Sequence, residues 1–177
     1  MRTNIVLTLT GADRIGLVEE ITKLLLELGG NVETSRMARL GGEFVILMLV
    51  SIPAEQLADL DRDVEYLITQ GYKVTTSQTA QTYAEAHPGW LSYQIEVQGA
   101  DHEGIIHQVA RHLSQRGINI ESMDTGTAPA PISGTPLFTM TALVAVPPNL
   151  PGQDWQVALE EVERQLNVDI SVSAVTK

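Results

Sequence analysis

Apolar and polar residues alternate from Asn4 to Thr10, placing Ile5, Leu7 and Leu9 on one side of the chain. That period of two is the pattern of a half-buried strand. From Ile15 the period changes. Ile15, Val18, Ile21, Leu25 and Leu28 recur at helical spacing, and Glu19, Glu20, Lys23 and Glu27 take much of the other face. The switch happens in Gly11-Ala12-Asp13-Arg14-Ile15-Gly16, a strand-to-helix turn with Asp13 as the expected N-cap and Gly29 or Gly30 as the helix stop. Residues 31–39 and 43–52 read as two further strands joined by a hairpin at Gly41-Gly42. The second of them, Phe44 to Val50, is almost wholly apolar, which predicts a central strand covered by helices on one face and by a partner sheet on the other. Pro53 ends it. A helix is predicted over 54–70, with Leu57, Leu60, Val64, Leu67 and Ile68 as its stripe and Gly71 as its stop, and a fourth strand over Tyr72–Thr79. The order β-α-β-β-α-β is the ferredoxin-like arrangement.

The pattern then repeats. Tyr93, Ile95 and Val97 match Ile5, Leu7 and Leu9 at an offset of 88, and the turn returns as Gly99-Ala100-Asp101-His102-Glu103-Gly104. Val109, Leu113 and Gly117-Ile118-Asn119 keep that offset, whereas Phe138, Val144 and Pro147 stand 94 residues after Phe44, Val50 and Pro53. The difference is a six-residue insertion, which the sequence places in a loop over Thr125–Gly134. Trp155, Leu159, Val162 and Leu166 mark the last helix, and Val168–Val175 the last strand. One offset held across several elements indicates two copies of one domain. The expected organisation is a first domain over 1–79, a linker over 80–91 with Trp90 as an anchor, and a second domain over 92–177. The units are expected to pair sheet edge to edge, which would cover strands that otherwise invite aggregation.

Charge and composition narrow the function. The net charge is −11, divided as −5 over residues 1–88 and −6 over 89–177, so neither half carries the basic surface that a duplex binder needs. The chain has no cysteine, which excludes disulfides and thiolate metal sites. The first residues already read as a strand rather than a leader, and no apolar run approaches the roughly 20 residues of a membrane span. A cytoplasmic protein without membrane or direct nucleic-acid contacts is expected.

The two turns carry the candidate chemistry. A strand that leads directly into a helix leaves backbone N–H groups open at the helix start, which suits a carboxylate. The Gly-x-x-x-x-Gly spacing also matches a phosphate loop, but Leu17-Val18 and Ile105-Ile106 stand where Lys and Ser/Thr are required. His102, His107 and His112 are five residues apart and share no helix face, so they read as solvated helix histidines rather than a metal set. No cofactor is implied. Acidic pairs such as Glu19-Glu20 and Glu160-Glu161 read as wet helix faces, and no nucleophile–base pair is visible.

Two β-α-β-β-α-β units, each with a Gly-x-Asp-x-x-Gly turn and a Gly-x-Asn-[Ile/Val] entry to its second strand, resemble ACT domains over nearly the whole chain. The acidic tandem pair resembles the glycine cleavage system transcriptional repressor family in particular. That resemblance implies an α+β fold of two ferredoxin-like ACT-type domains and a non-enzymatic regulator. It also implies small ligands, usually amino acids, bound where domains meet. The implied ligand residues are Gly11, Asp13, Arg14, Ile15, Gly16 and Asn31, and Asp101, His102, Glu103, Gly104 and Asn119 in the second unit. The family often has proline before the second glycine, where this chain has Ile15 and Glu103. Glu103 would repel a carboxylate. Implied partners are an amino acid and a protein such as a transcription factor or an enzyme, with the chain as a homo-oligomer. A regulatory subunit of a metabolic enzyme and a ligand-free dimerisation module are the alternatives.

Overall fold

The opening alternation becomes β1 (Arg2–Ala12) in a computed structural model that describes residues 1–79, 87–130, 134–150 and 152–175. The chain divides into two compact units, Met1–Tyr83 and Ala84–Lys177. In the first, β1 is followed by α1 (Leu17–Glu27), β2 (Asn31–Leu40), β3 (Glu43–Pro53), a short 3-10 turn, α2 (Leu57–Thr69) and β4 (Lys73–Thr79). The antiparallel sheet has the order β2-β3-β1-β4, so the two most apolar strands are the interior ones. In β3 the inward set Ile46, Met48, Val50 and Ile52 is buried while Leu47 is 44% exposed. Its apolar run therefore serves two faces, of which only one is core.

The core of this unit joins Ile5, Leu7 and Leu9 to Ile21 and Leu25 of α1 and Leu60, Val64 and Leu67 of α2. Each such side chain removed from water contributes roughly 1.5–3 kcal/mol. Three positions depart from the predicted stripes. Ile15 is fully exposed and Val18 is 39% exposed, and the buried face of α1 is Leu17, Ile21 and Leu25. The cause is Gly16, whose φ of 88° places the residue before the helix in the left-handed region and turns Ile15 away from the sheet. Ile68 is likewise exposed, because Leu60, Val64 and Leu67 already complete the inner face of α2.

Glycine ends the helices as the sequence predicts. Gly29, at φ 68°, donates its N–H to the carbonyl of Leu26 while Gly30 donates to that of Leu25. This pair of bonds satisfies two of the last orphan carbonyls of α1. Gly71 and Tyr72 do the same for α2.

The second unit has β5 (Leu91–Ala100), α3 (Ile105–Ser114), β6 (Asn119–Pro129), β7 (Pro136–Val146), α4 (Gly152–Leu166) and β8 (Val168–Ala174), with sheet order β6-β7-β5-β8. Its separate core centres on Ile95, Val97, Val109, Met140, Val144 and the fully buried Trp155. Gly117 and Ile118 repeat the helix stop, and Asn167 at φ 51° takes the place of Gly71. β5 begins at Leu91, the last residue assigned to the linker; residues 80–86 lie outside the described residues. Trp90 is half-buried, its ring edge-on to His87 at 4.7 Å.

The expected loop over Thr125–Gly134 is corrected. Residues 125–129 are strand, with Thr125 opposite Met140 and Thr127 opposite Phe138. The insertion therefore falls between Pro129 and Pro136, in the place of Gly41-Gly42, and residues 131–133 of it lie outside the described residues. Pro129 is tolerated because it ends an edge strand.

Candidate functional site

The two turns have the same backbone. Gly16 and Gly104 precede their helices at φ 88° and 95°, and a Cβ added to either would meet nothing within 4 Å. Glycine is required there by its dihedrals, and open space lies above both helix starts. Glu20 and Gln108 make the first helical bonds, to the carbonyls of Gly16 and Gly104. Among the described residues the amides of Val18 and Glu19, and of Ile106 and His107, have no backbone acceptor or side-chain cap.

Asp13 is not the N-cap. The left-handed Gly16 occupies that position, and Asp13 instead bonds the hairpin: its N–H donates to the Gly42 carbonyl at 3.2 Å and its carboxylate lies 3.7 Å from the Arg39 guanidinium. Asp101 likewise donates its N–H to the carbonyl of Pro136 at 2.9 Å. Both aspartates thus tie the turn to the start of the third strand of their unit, Asp13 to the turn residue just before it and Asp101 to its first residue.

The residue after each aspartate ties the turn to the end of the second helix. Arg14 donates from Nε to the Tyr72 hydroxyl at 2.9 Å and from Nη2 to Gln70 at 3.2 Å, and it pairs with Glu20. Its guanidinium carbon lies 5.6 Å from the Tyr72 ring centre. The bond to Glu20, then that to Tyr72, holds the Arg14 pKa above its ordinary value. Its charge is therefore committed within the unit. Sequence reasoning missed Tyr72 and Gln70, which lie 58 and 56 residues away and reach Arg14 only through the fold.

At the matching position His102 places Nε2 at 2.8 Å from the Leu166 carbonyl and Nδ1 at 3.1 Å from that of Glu103. Two carbonyls can both be satisfied only when both ring nitrogens carry protons, so the geometry favours the imidazolium. The bond to Leu166, then that to Glu103, raises the His102 pKa, and the nearby Asp101 charge adds to it. A raised histidine pKa contributes stability that is fully present below the unfolded value near 6.5 and is lost as pH rises through the folded value. We expect the stability difference between the wild type and His102→Ala, from urea melts of the second unit, to be larger at pH 5.5 than at pH 8. Equal differences at both pH values would remove the imidazolium from the account. His112 acts in the opposite sense, since burial lowers its pKa and its protonation costs stability as pH falls. It is not a solvated histidine: it is buried, with Nε2 at 3.3 Å from the Trp155 carbonyl and Nδ1 at 3.3 Å from Arg116.

The remaining site residues are only partly brought together. Gly11 is the residue over which the Tyr72 ring lies, so it shapes the site rather than lining it. Ile15 and Glu103 are exposed beside their turns. Asn31 opens β2, and its amide donates to Glu33 at 2.9 Å rather than to any turn residue. Asn119 opens β6 and borders a groove of about 470 Å³ between that strand and α3. His107, Arg111 and Ser114 line the helix side of the groove, and Ile118 and Ile120 flank Asn119. His107 and Arg111 were outside the predicted site. The signal for them is the absence of any acid between Gly104 and Asn119 in an otherwise acidic chain.

Comparison with known proteins agrees with this fold. A family model described as an ACT domain matches residues 3–75. The glycine cleavage system transcriptional repressor of Escherichia coli K12 is 25% identical over 178 aligned positions, covering 97% of this chain and 90% of its own. A crystallised protein from Galdieria sulphuraria, described only as unknown, is 34% identical with a TM-score of 0.88, covering 99% of this chain and 100% of its own. A crystal structure provisionally described as a glycine cleavage system transcriptional repressor is 22% identical with a TM-score of 0.71, covering 100% and 99% of the two chains. The second unit repeats the strand order, turn and helix stops of the first, which carries the family match. Residues 3–75 match an ACT domain, the second unit repeats that architecture in tandem, and the chain as a whole is related to the glycine cleavage system transcriptional repressor.

Proposed function

We propose that the protein is a non-enzymatic sensor of an amino acid or similar small metabolite and acts through a protein partner. The observation that carries this reading is the doubled left-handed glycine at an open helix start, with unbonded amides above it. Such a start favours an anionic group, and the proposed ligand-contacting residues are those of the two turns with Asn31 and Asn119. Asp13, paired with Arg39, and Asn31, paired with Glu33, would have to exchange those partners for a ligand ammonium. The relation to the repressor supports transcriptional control of glycine cleavage genes as the finer reading. Control would then pass through a partner protein, because both units are acidic. A cytoplasmic homo-oligomer fits that role. Signalling is by linkage: a ligand that prefers one arrangement of the protein changes the partner's affinity by the same coupling free energy.

The test is a thermal-shift titration against the common amino acids, glycine and serine included. A ligand that binds only the folded state, at about 100 times its Kd, adds about 2.7 kcal/mol and raises Tm by several degrees. The expected result is a shift for one amino acid that is lost in Asp13→Ala and Asn31→Ala or in Asn119→Ala. No shift for any of them would end the amino-acid reading.

A further inference from the structure

The two units differ most along one helix face. Between Gly104 and Asn119 the chain has no Asp or Glu and carries His107, Arg111, His112 and Arg116. The matching stretch of the first unit, Gly16 to Asn31, holds Glu19, Glu20 and Glu27 against a single Lys23. In the groove beside Asn119, Arg111 makes no side-chain hydrogen bond or ion pair among the described residues, and neither does His107 or the Asn119 amide. Among the described residues no carboxylate lines it. Its floor is apolar, formed by the buried Ile118 and the half-buried Ile120. About 470 Å³ is ample for a small metabolite. The first unit cannot offer the same surface. Glu19 stands where His107 does, Leu26, 73% exposed, stands where Ser114 does, and the Asn31 amide is taken by Glu33.

We infer that this groove of the second unit is the ligand site, and that it takes a small aliphatic carboxylate. The carboxylate pairs with Arg111 and His107, Asn119 bonds the polar end, and the aliphatic part lies on Ile118 and Ile120. This rests on the sensor reading and deepens it. It assigns binding to the second unit, places the carboxylate on a helix side chain rather than on the turn amides, and favours an apolar amino acid. A guanidinium offers two parallel donors to a carboxylate, which a helix start does not. The unpartnered cation also explains how an acidic unit could hold an anion at all.

The probes are L-leucine, 4-methylpentanoate, which lacks the ammonium, and 3-methylbutylamine, which lacks the carboxylate. Each is titrated by calorimetry into the wild type, Arg111→Gln, Asn119→Ala and Lys23→Gln. Both variants in the groove replace exposed side chains, and an unchanged melting curve verifies that they fold. We expect leucine and 4-methylpentanoate to bind and the amine not to. Arg111→Gln should weaken binding by roughly tenfold or more, as loss of a charge-assisted hydrogen bond does. Lys23→Gln, the counterpart of Arg111 in the first unit, should leave it unchanged. Leucine binding that survives Arg111→Gln and is lost in Lys23→Gln would overturn the groove and leave the sensor reading standing. Arg111-dependent binding of 4-methylpentanoate with none for leucine would keep the groove as a carboxylate site and overturn its assignment to an apolar amino acid. Failure of all three probes in the wild type would overturn the aliphatic-carboxylate site, and binding of another amino acid in the thermal-shift panel would then separate that failure from failure of the sensor reading.

Discussion

Replacing Trp155 with alanine is expected to destabilise the second unit by about 3–5 kcal/mol, the range for emptying a large aromatic site in a core. Trp155 has no exposed surface, sits on the inner face of α4 and meets the Tyr93 ring edge-on at 5.3 Å. Tyr93 belongs to β5, so the indole joins the helix to an interior strand of the sheet. A loss of that size is a large share of the roughly 5–15 kcal/mol that holds a domain folded. Amide hydrogen exchange resolves it by element. The slowest amides of β5 and β7 should exchange roughly 10²–10⁴ times faster, whereas those of β1 and β3 should change much less, because the two cores share no residue. Trp155→Phe separates volume from polarity. The indole Nε1 is buried with no hydrogen-bond partner among the described residues, so phenylalanine removes an unpaired donor together with the extra ring. It should cost far less than alanine. Equal losses for the two variants would mean that the indole nitrogen has a partner after all.

How much of this was legible depends on whether the signal was local. The offset of 88 located both units, because the stops of α1 and α3 each use one glycine at positive φ and two backbone bonds, a device written in consecutive residues such as Gly29-Gly30. The hairpin at Gly41-Gly42 was legible for the same reason. Periodicity failed where one residue broke the period. The helical stripe was extended back to Ile15, but the left-handed Gly16 separates Ile15 from α1 and gives its place to Leu17. Composition failed at Thr125–Pro129, where glycine, threonine and proline look like a loop but pair in full register with β7. His112 could have been read correctly, since it lies on the buried side with Ile105, Val109 and Leu113; its polarity argued against that, and the Trp155 carbonyl that satisfies it is 43 residues away. The contacts of Arg14 had no local signal at all. They exist because β1 and β4 are neighbours in the sheet, which brings Gly11, Arg14, Gln70 and Tyr72 to one end of the unit. The sequence pointed to the turn as a site, but what commits the Arg14 charge is tertiary.

Gly11 is the residue through which that cluster can be tested. A Cβ there would stand 2.4 Å from Cδ1 and 2.9 Å from Cε1 of Tyr72. The ring has little room to withdraw: it is 6% exposed, its hydroxyl accepts from Arg14 and donates to the Ala12 carbonyl at 3.2 Å. Gly11→Ala should therefore cost about 1–3 kcal/mol by overpacking and release the Arg14 side chain from Tyr72. The glycine has no positive φ, so the cost is steric rather than conformational, and that makes it reversible. In a Tyr72→Ala background the same Gly11→Ala change should cost almost nothing, and could gain the roughly 0.5–1 kcal/mol that alanine holds over glycine inside a strand. A double-mutant cycle in urea reads the coupling directly. At Gly99 the added Cβ meets Val168 at both Cγ1, 2.7 Å, and the backbone Cα, 3.0 Å. Shortening Val168 to alanine leaves that Cα in place, so Gly99→Ala should stay costly in the Val168→Ala background. If relief is equal in both units, the backbone contact at Gly99 is not what makes the second turn close. If relief is confined to the first, the close approach at Gly11 is made by a side chain alone and that at Gly99 by backbone as well. The first turn is then walled by the Tyr72 ring, which also holds Arg14, and the second by the backbone of Val168.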